Sequence, residues 1–244
     1  MPLHLIAGSA GSPGATTTAL GLILQSTGPA LLVDASRDAA QPVLAGYLRG
    51  AAAAGTGLEE FARRRRMGAP FDVEAATLPL DPDRDHRLLP GFGHLGAVDL
   101  FDATWPDLAA ELRRLADEGT HVVIDAGRVG SDRALEALVP VCDRVMLVTR
   151  TGLRHLAAAR AACELLEPLV ASSPRSTRGM LVLVGEGMPY DRREVEAQFG
   201  WDVGLVLPLA PEHAAVLSDG VRPPRRWDRS PLLEALRAQV VAAP

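Results

Sequence analysis

The sequence predicts an α/β protein in which a doubly wound, mostly parallel sheet is flanked by helices. Short apolar runs without polar alternation recur along the chain, as expected of strands that helices cover on both faces. Segments with the apolar spacing of helices separate these runs, and such alternation is typical of parallel sheets. A glycine-rich turn joins the first run to the first helical segment. These three observations fix the expected architecture.

The elements follow from the same patterns. The predicted strands span 3–7, 30–34, 121–125, 144–148, 180–184 and 203–207. The predicted helices span about 16–26, 58–67, 105–118, 131–140, 152–169, 190–199 and 211–219, with an amphipathic helix at 231–241. Prolines interrupt the stretch 50–90, where we expect one helix and one or two short strands. A chain of 244 residues in this class is expected to form one domain over 1–244.

Composition limits the function classes. The chain is 48% hydrophobic and 23% charged, which indicates a soluble globular protein. Its net charge of −5 disfavours a dedicated nucleic-acid binder. Cys142 and Cys163 lie in apolar segments without metal-ligand spacing, so they are expected to be core thiols. The sequence contains neither a secretory signal nor a membrane-spanning run, which favours a cytoplasmic location, with peripheral attachment to membrane or nucleoid as an extension.

The turn after the first predicted strand has the composition of a phosphate-binding loop. Glycines let backbone N–H groups converge on one anion, and the following helix adds its positive N-terminal dipole. Such loops carry a Lys before their Ser or Thr, but Ala15 stands there and the chain contains no lysine. The alternative is that Thr16 and Thr17 only cap the helix. The expected phosphate-binding residues are Gly11, Ser12, Gly14, Ala15, Thr16 and Thr17.

The segment from Ala10 to Thr17 (AGSPGATT) resembles a degenerate form of the deviant Walker A loop of the MinD/ParA group of P-loop ATPases, whose pattern is KGGxGKTT. The segment LVDAS ending at Ser36 is similar to that group's second strand and switch, and VID ending at Asp125 to its Walker B strand. A late segment at 206–220 resembles the group's closing strand and helix. The resemblance covers nearly the whole chain and implies a P-loop NTPase fold.

The departures from the group's pattern concern its chemistry. Its first Lys, which reaches the phosphates of a partner subunit, is replaced by Ala10, and its second by Ala15. Ser36 stands in place of the switch carboxylate, and Gly185 in place of an Asn that reads adenine. Because phosphoryl transfer depends on positioning and charge neutralisation, these losses predict weak or no ATP hydrolysis. Loss of the first Lys also predicts that any homodimer forms independently of ATP.

Several groups keep nucleotide binding feasible. The resemblance implies ATP or ADP with Mg²⁺ as ligands, with Thr16, Asp34 and Asp125 as the metal-site residues; a site that takes no nucleotide is the alternative. Asp38 replaces the lost switch carboxylate if the register slips by two residues. Arginines that follow strand ends supply positive charge, unless they are ordinary solvated side chains. These are Arg37, Arg128 and Arg150.

Two basic clusters lie elsewhere in the chain, at Arg63–Arg66 and at Arg222–Arg226. Either composition suits a nucleic-acid backbone or an anionic membrane, and the alternative is a solvated charged surface. The C-terminal amphipathic helix has few basic residues on its polar face, which favours docking over membrane anchoring.

The preferred hypothesis is a MinD/ParA-like protein with a degenerate nucleotide site. It would act as a scaffold or positional regulator in cell division, chromosome or plasmid partition, or pilus or secretion placement, with protein partners from such a system. Divergent relatives of this kind include CpaE/TadZ proteins and septum-site-determining proteins. The alternatives are a slow ATPase that uses arginines or a partner, a partition protein that binds DNA without sequence preference, and a metabolic enzyme, for which the sequence contains no added substrate motif.

Overall fold

The structure is a computed structural model that describes residues 1–11, 14–51, 55–69, 72–81, 83–130 and 133–241. Its strands are β1 (Leu3–Gly8), β2 (Ala30–Asp34), β3 (Leu78–Asp81), β4 (His86–Leu89), β5 (His121–Arg128), β6 (Arg144–Arg150), β7 (Arg178–Val184) and β8 (Asp202–Leu207). The helices are α1 (Ala15–Gln25), α2 (Gly57–Arg66), α3 (Leu95–Leu100), α4 (Trp105–Asp117), α5 (Arg133–Leu138), α6 (Leu153–Ala171), α7 (Arg192–Glu196), α8 (Pro211–Ser218) and α9 (Pro231–Val241).

The strands form one sheet in the order β3-β4-β2-β5-β1-β6-β7-β8. The pairs are parallel except that of β3 with β4, which is antiparallel and closes one edge. The chain winds outward from β1 in both directions, so the predicted doubly wound, mostly parallel sheet is confirmed. In such a sheet, ligands bind beyond the carboxyl ends of the strands, where the order reverses.

The two faces of the sheet bury separate apolar clusters. Leu3 and Leu5 of β1 face the cluster formed with α2, α4 and α6, whereas Ile6 faces the cluster formed with α1, α8 and α9. Apolar residues therefore occupy both faces of a strand, which explains its lack of polar alternation. Cys142 and Cys163 are buried in the first cluster, as expected of core thiols.

The C-terminal helix α9 packs against α1 on the second face. Leu232, Leu233 and Leu236 are buried there. Leu236 approaches so closely that a Cβ at Gly21 would lie 2.5 Å from its Cδ1 atom. The apolar side of this amphipathic helix is therefore occupied by the body of the protein. None of the described helices combines the length and hydrophobicity needed to cross a membrane.

The structure differs from the prediction mainly at element ends and in the middle of the chain. The helix expected over 190–199 is the short α7, which begins after a capping box between Asp191 and Glu194. The helix expected over 131–140 is α5 followed by a 3-10 turn, and residues 131 and 132 lie outside the described residues. Helix α3 and a π-helical turn at Val43–Tyr47 were not expected.

Candidate functional site

The glycine-rich loop lies at the carboxyl end of β1, the central crossover point of the sheet. The chain leaves β1 at Gly8 and enters α1 at Ala15. Gly14 precedes α1 with a φ of 131°, a region that side chains other than glycine rarely adopt. The tight turn into the helix therefore depends on glycine at position 14.

Among the described residues, no side chain caps the N-terminus of α1. Gly14 is the N-cap residue and has no side chain to accept a hydrogen bond from the first turn. The hypothesis that Thr16 and Thr17 merely cap the helix therefore finds no support in the geometry. The first N–H groups of a helix have no intrahelical acceptors, so an uncapped end offers them to an anion. No acidic residue in the first turn competes for them.

A cavity of about 480 Å³ opens in front of this helix end. That volume lies within the range of small-ligand sites. Among the predicted phosphate-binding residues, Gly11, Gly14, Ala15, Thr16 and Thr17 line it, and Ser12 lies outside the described residues. The remaining lining residues come from the ends of β1 and β5, from the segments after β1 and β2, and from the last residue of α8: Gly8, Ser9, Ser36, Asp38, Ala40, Pro42, Gly127, Arg128 and Ser218.

Thr16 and Asp125 are linked across the base of the cavity. The Thr16 side chain donates a hydrogen bond to the Asp125 carboxylate, and the Gly127 N–H donates to its Oδ1 atom at 3.0 Å. These bonds lower the pKa of Asp125, but burial, which leaves the residue 1% exposed, has the larger opposite effect and raises it. The Oδ2 atom is buried and has no hydrogen-bond partner among the described residues.

Asp34 lies beside Asp125 because the two residues are register partners on β2 and β5. Burial and the neighbouring Asp125 carboxylate raise the pKa of Asp34 to about 7, against opposing backbone hydrogen bonds from Ser36 and Gly91. Two buried carboxyl groups without a cation are costly, because each disfavours ionisation of the other. The three predicted metal-site residues, Thr16, Asp34 and Asp125, are therefore brought together at one end of the sheet.

A second cavity, of about 280 Å³, adjoins the first and shares Gly14, Thr17 and Ser218 with it. Arg150 lines this second cavity. The other lining residues are mainly small or apolar: Thr18, Val184, Leu207, Pro208, Leu209, Ala210, Pro211, Ala214, Ala215, Asp219 and Leu232. A polar cavity and an apolar one therefore meet at the start of α1.

The structure separates the three arginines that the sequence placed near strand ends. Arg128 lines the first cavity and Arg150 the second. Arg37 instead pairs with Asp99 of α3 at 3.2 Å. Asp38, the predicted substitute for the switch carboxylate, is exposed and lines the first cavity with Ser36.

Two glycines of the site were missed by the sequence analysis. A Cβ at Gly91 would lie 2.8 Å from the Cγ atom of Asp34, and one at Gly127 would lie 2.6 Å from the Oγ atom of Ser36. Gly91 follows β4, a strand whose bounds the sequence did not fix. Gly185 has a φ of 75°, and a Cβ there would press against Met188 and Leu209. The position is therefore suited to glycine, which has no side chain to contact a base.

The two basic clusters differ in their pairing. Arg63 and Arg64 both bind Glu60, at 2.6 and 2.8 Å, and Arg65 binds Asp107 at 3.1 Å. The second cluster, Arg222–Arg226, is exposed, and the described residues provide no ion pair for its three guanidinium groups. The first cluster is thus largely neutralised by its own helix and by α4.

Comparison with known proteins agrees with this architecture. No protein-family model matches the chain, and no curated protein sequence matches it. Solved structures do: a ParA family ATPase from Chlorobium tepidum has a TM-score of 0.77 at 13% identity, with 98% of this chain and 97% of that chain covered. MinD in the Aquifex aeolicus MinC:MinD complex has a TM-score of 0.72 at 14% identity, with 99% and 94% covered. MinD from Pyrococcus horikoshii with Mg-ADP has a TM-score of 0.67 at 16% identity, with 98% of this chain and 93% of that chain covered.

The sheet, the loop and the position of α1 define the chain as a protein with the P-loop NTPase fold. The three solved structures named above, to which the chain is similar over nearly its entire length, are of MinD and ParA ATPases. The fold implied by the sequence resemblance is therefore confirmed.

Proposed function

We propose that this chain is a MinD/ParA-type protein that binds ATP or ADP with Mg²⁺ at low affinity. It acts as a scaffold or positional regulator and not as a fast ATPase. The observation that carries the proposal is the uncapped start of α1 at a cavity whose lining residues Thr16, Ser36 and Gly127 hydrogen-bond to the buried Asp34–Asp125 pair. A helix end without a cap suits an anion, and a carboxylate pair suits a cation. A nucleotide with its metal ion provides both.

The adjoining cavities accommodate the two parts of a nucleotide. Phosphates are placed against the loop in the first cavity, where Gly11, Gly14 and the first turn of α1 present backbone N–H groups. The base is placed in the second cavity, against apolar groups such as Val184 and Leu209. Because Gly185 has no side chain, we expect weak discrimination between purine bases.

The residues present fit a bound Mg²⁺ ion. The unpartnered Oδ2 atom of Asp125 is a hard oxygen ligand, directly or through water, and the Thr16 hydroxyl and Asp34 carboxyl lie beside it. When bound, the ion would neutralise charge on the phosphates. The chain's own groups hold the metal ligands in place, through the hydrogen bonds of Asp125 with Thr16 and Gly127.

Slow turnover follows from the groups that surround the cavity. Ala15 and Ser36 line it at the positions where the resemblance implies a lysine and a carboxylate. Neither side chain brings a charge to the phosphates, so the stabilisation of a developing negative charge is reduced. Asp38 lines the same cavity and is the one exposed carboxylate among the described lining residues that is placed to orient a water molecule.

The role as a positional regulator rests on the fold and on the compared structures. One of them is a complex of MinD with a protein partner, MinC. A comparable role here requires a protein partner and does not require fast hydrolysis. Since Ala10 cannot reach across to a partner's phosphates, we propose that any homodimer forms without ATP.

Titration calorimetry with ATP and ADP, with and without Mg²⁺, tests nucleotide binding. We expect Mg²⁺-dependent binding that Asp125→Ala weakens, because the substitution removes the buried oxygen ligand. Arg37→Ala is the matched control, since Arg37 pairs with Asp99 and does not line the cavity. An absence of heat at millimolar nucleotide would overturn the proposal.

The slow-ATPase alternative is separated by steady-state turnover of the same preparations. We expect phosphate release near the background rate for the isolated chain. A rate well above background that Asp125→Ala abolishes would favour the enzyme, whereas a rate unchanged by Asp125→Ala would indicate a contaminant.

A second candidate function is binding to duplex DNA without sequence preference, and the unpaired cluster Arg222–Arg226 favours it. Combined replacement of Arg222, Arg225 and Arg226 by Ala would then abolish a salt-sensitive electrophoretic shift. Combined replacement of Arg63, Arg64 and Arg65 is the control, because those side chains are already paired. No shift with the unmodified protein at low salt would exclude this candidate.

A further inference from the structure

We infer that Arg128 supplies the positive charge to the nucleotide phosphates that Ala15 cannot supply. The inference rests on the proposed function, because it concerns the same cavity and requires that a nucleotide bind there. It assigns to the end of β5 a role that a phosphate loop ordinarily gives to its own lysine.

The backbone of Arg128 is fixed against the base of the loop. Arg128 is the last residue of β5, and its register partner is Gly8, the last residue of β1. The next residue, Val129, donates its N–H to the Gly8 carbonyl at 3.0 Å. Because Gly8 leads directly into the loop, the position of Arg128 relative to the loop is set by sheet hydrogen bonds.

The side chain of Arg128 is exposed and lines the first cavity together with Ala15 and Thr16. Among the described residues, no hydrogen bond or ion pair holds its guanidinium group elsewhere. A guanidinium group can donate two parallel hydrogen bonds to phosphate oxygens, a geometry that a single ammonium lacks. Arg128 is therefore placed to meet an anion in this cavity.

The other two candidate arginines are placed less favourably. Arg37 pairs with Asp99 of α3 and does not line the first cavity. Arg150 lines the second, mostly apolar cavity, where the base is expected. Arg128 is thus the strand-end arginine that the described structure brings to the phosphate cavity.

The charges around the cavity make such a cation necessary. Asp38 lines it, and the buried Asp34 and Asp125 are hydrogen-bonded to residues that line it, namely Ser36, Gly127 and Thr16. These carboxyl groups repel a triphosphate unless cations offset them. Mg²⁺ would offset the buried pair, and Arg128 offsets charge at the open side. The benefit of Arg128 is therefore expected to grow with the number of phosphates.

A glycine turn ties Arg128 to the metal-site carboxylate. The Gly127 N–H bonds the Oδ1 atom of Asp125, and Gly127 has a φ of 64° in the left-handed region. Its lack of a Cβ lets the chain pass the Oγ atom of Ser36. One short turn therefore positions Asp125 for a cation and Arg128 for an anion.

The test is a set of affinities measured by displacement of a fluorescent ATP analogue in the presence of Mg²⁺. We expect Arg128→Ala to weaken ATP binding about 10- to 100-fold, the loss of one or two charged hydrogen bonds. AMP binding is expected to change by less than about threefold, because AMP brings fewer phosphates to the cavity. Arg128→Lys, which keeps the charge, retains most of the affinity.

The decisive measurement is rescue. Ala15 lines the same cavity, so Ala15→Lys in the Arg128→Ala background is expected to restore ATP affinity. If Arg128 had only a structural role, a lysine on α1 would not restore ATP affinity. Arg37→Ala is the control that removes an arginine paired with Asp99 and outside the lining of the cavity.

The outcomes distinguish the two proposals. If the unmodified chain binds ATP and Arg128→Ala leaves that affinity unchanged, or weakens ATP and AMP equally, the role of Arg128 is overturned while the proposed function stands. If the unmodified chain binds no nucleotide at millimolar concentration, both fail. Thermal unfolding of each variant identifies misfolding. If Arg128→Ala is misfolded, the ATP affinity of Arg128→Lys decides whether the charge is required.

Discussion

Asp34 and Asp125 lie side by side at the carboxyl ends of β2 and β5, 3% and 1% exposed, as register partners on neighbouring parallel strands. Charged groups in such a place are stabilised only by a partner of opposite charge. Among the described residues their hydrogen-bond donors are neutral, namely the backbone N–H groups of Ser36, Gly91 and Gly127 and the Thr16 hydroxyl, and the Asp38 carboxylate adds further negative charge. The pair is therefore costly to the empty protein and useful to a protein that binds a cation.

Replacing Asp34 with Asn is expected to stabilise the empty protein and to weaken Mg²⁺-dependent nucleotide binding. The folded-state pKa of Asp34 is raised to about 7, so the folded protein binds a proton more tightly than the unfolded chain, and stability from this group is lost as the pH rises toward 7. Near pH 8 the substitution removes a buried charge, and the free energy of unfolding rises by roughly 1–3 kcal/mol.

Urea unfolding near pH 8 and near pH 5 measures this effect, which should shrink at the lower pH because the carboxyl group is then protonated in the folded state. A variant less stable than the unmodified protein near pH 8 would show that the Asp34 carboxylate stabilises the fold.

Thr16 and Thr18 provide a matched pair on one helix. Thr16 bonds Asp125, whereas the buried Oγ1 atom of Thr18 has no partner among the described residues. Thr16→Val is expected to weaken Mg²⁺-dependent ATP binding about tenfold or more, since it removes a metal-site hydroxyl. Thr18→Val should keep the Mg²⁺ dependence of binding, because Thr18 lines the second cavity and does not bond Asp125, and it should not lower stability, because it removes an unsatisfied polar atom. Calorimetry and urea unfolding check both, and equal losses in the two variants would contradict the assignment.

Acid is expected to destabilise the fold through buried histidines at the amino-terminal ends of the strands, opposite the Asp34–Asp125 pair. Burial lowers the pKa of His4 to about 3 and that of His121 to about 4, and it also lowers the pKa of His86. The charges facing His4 are His121 and Arg144, with Asp143 opposing them. The unfolded chain binds protons below about pH 6.5 and the folded chain does not, so stability falls as the pH drops below that value.

Replacing His4 with Phe should remove one such proton and reduce the slope of unfolding free energy against pH by roughly 1 kcal/mol per pH unit between about pH 6 and about pH 5. The exposed His94, replaced by Gln, is the control. Denaturant unfolding across this range provides the measurement, and an unchanged slope in the His4 variant would show that His4 accepts its proton in the folded state.

Gly46 holds the π-helical turn against the end of α8. A Cβ at this position would lie 1.9 Å from the Ser218 carbonyl oxygen. Gly46→Ala is expected to cost roughly 2–4 kcal/mol of stability and to weaken nucleotide binding, because Ser218 lines both cavities. Gly28→Ala meets no atom within 4 Å and should change stability by less than about 0.5 kcal/mol. Thermal unfolding compares the two, and similar melting temperatures would contradict this packing.

The sequence was most informative where local pattern and burial coincide. The strand at 30–34 was predicted with the bounds it has, because strands buried on both faces have continuous apolar runs. Asp34 and Asp125 were recognisable as polar residues that end such runs. The region from Pro42 to Leu100 was not predictable in detail, since β3 and β4 depend on pairing at the sheet edge and α3 is a short helix.

The sequence by itself determined the sheet, the loop that leads into α1, and the absence of a lysine, because apolar periodicity and residue identity are local properties. Only the tertiary structure decided that Asp34 lies against Asp125 and that Arg128, in preference to Arg37, lines the cavity at the start of α1. It also decided that Arg63, Arg64 and Arg65 are paired, whereas the described residues provide no ion pair for the cluster Arg222–Arg226. Those relationships join residues far apart in the chain, and strand register and helix packing set them.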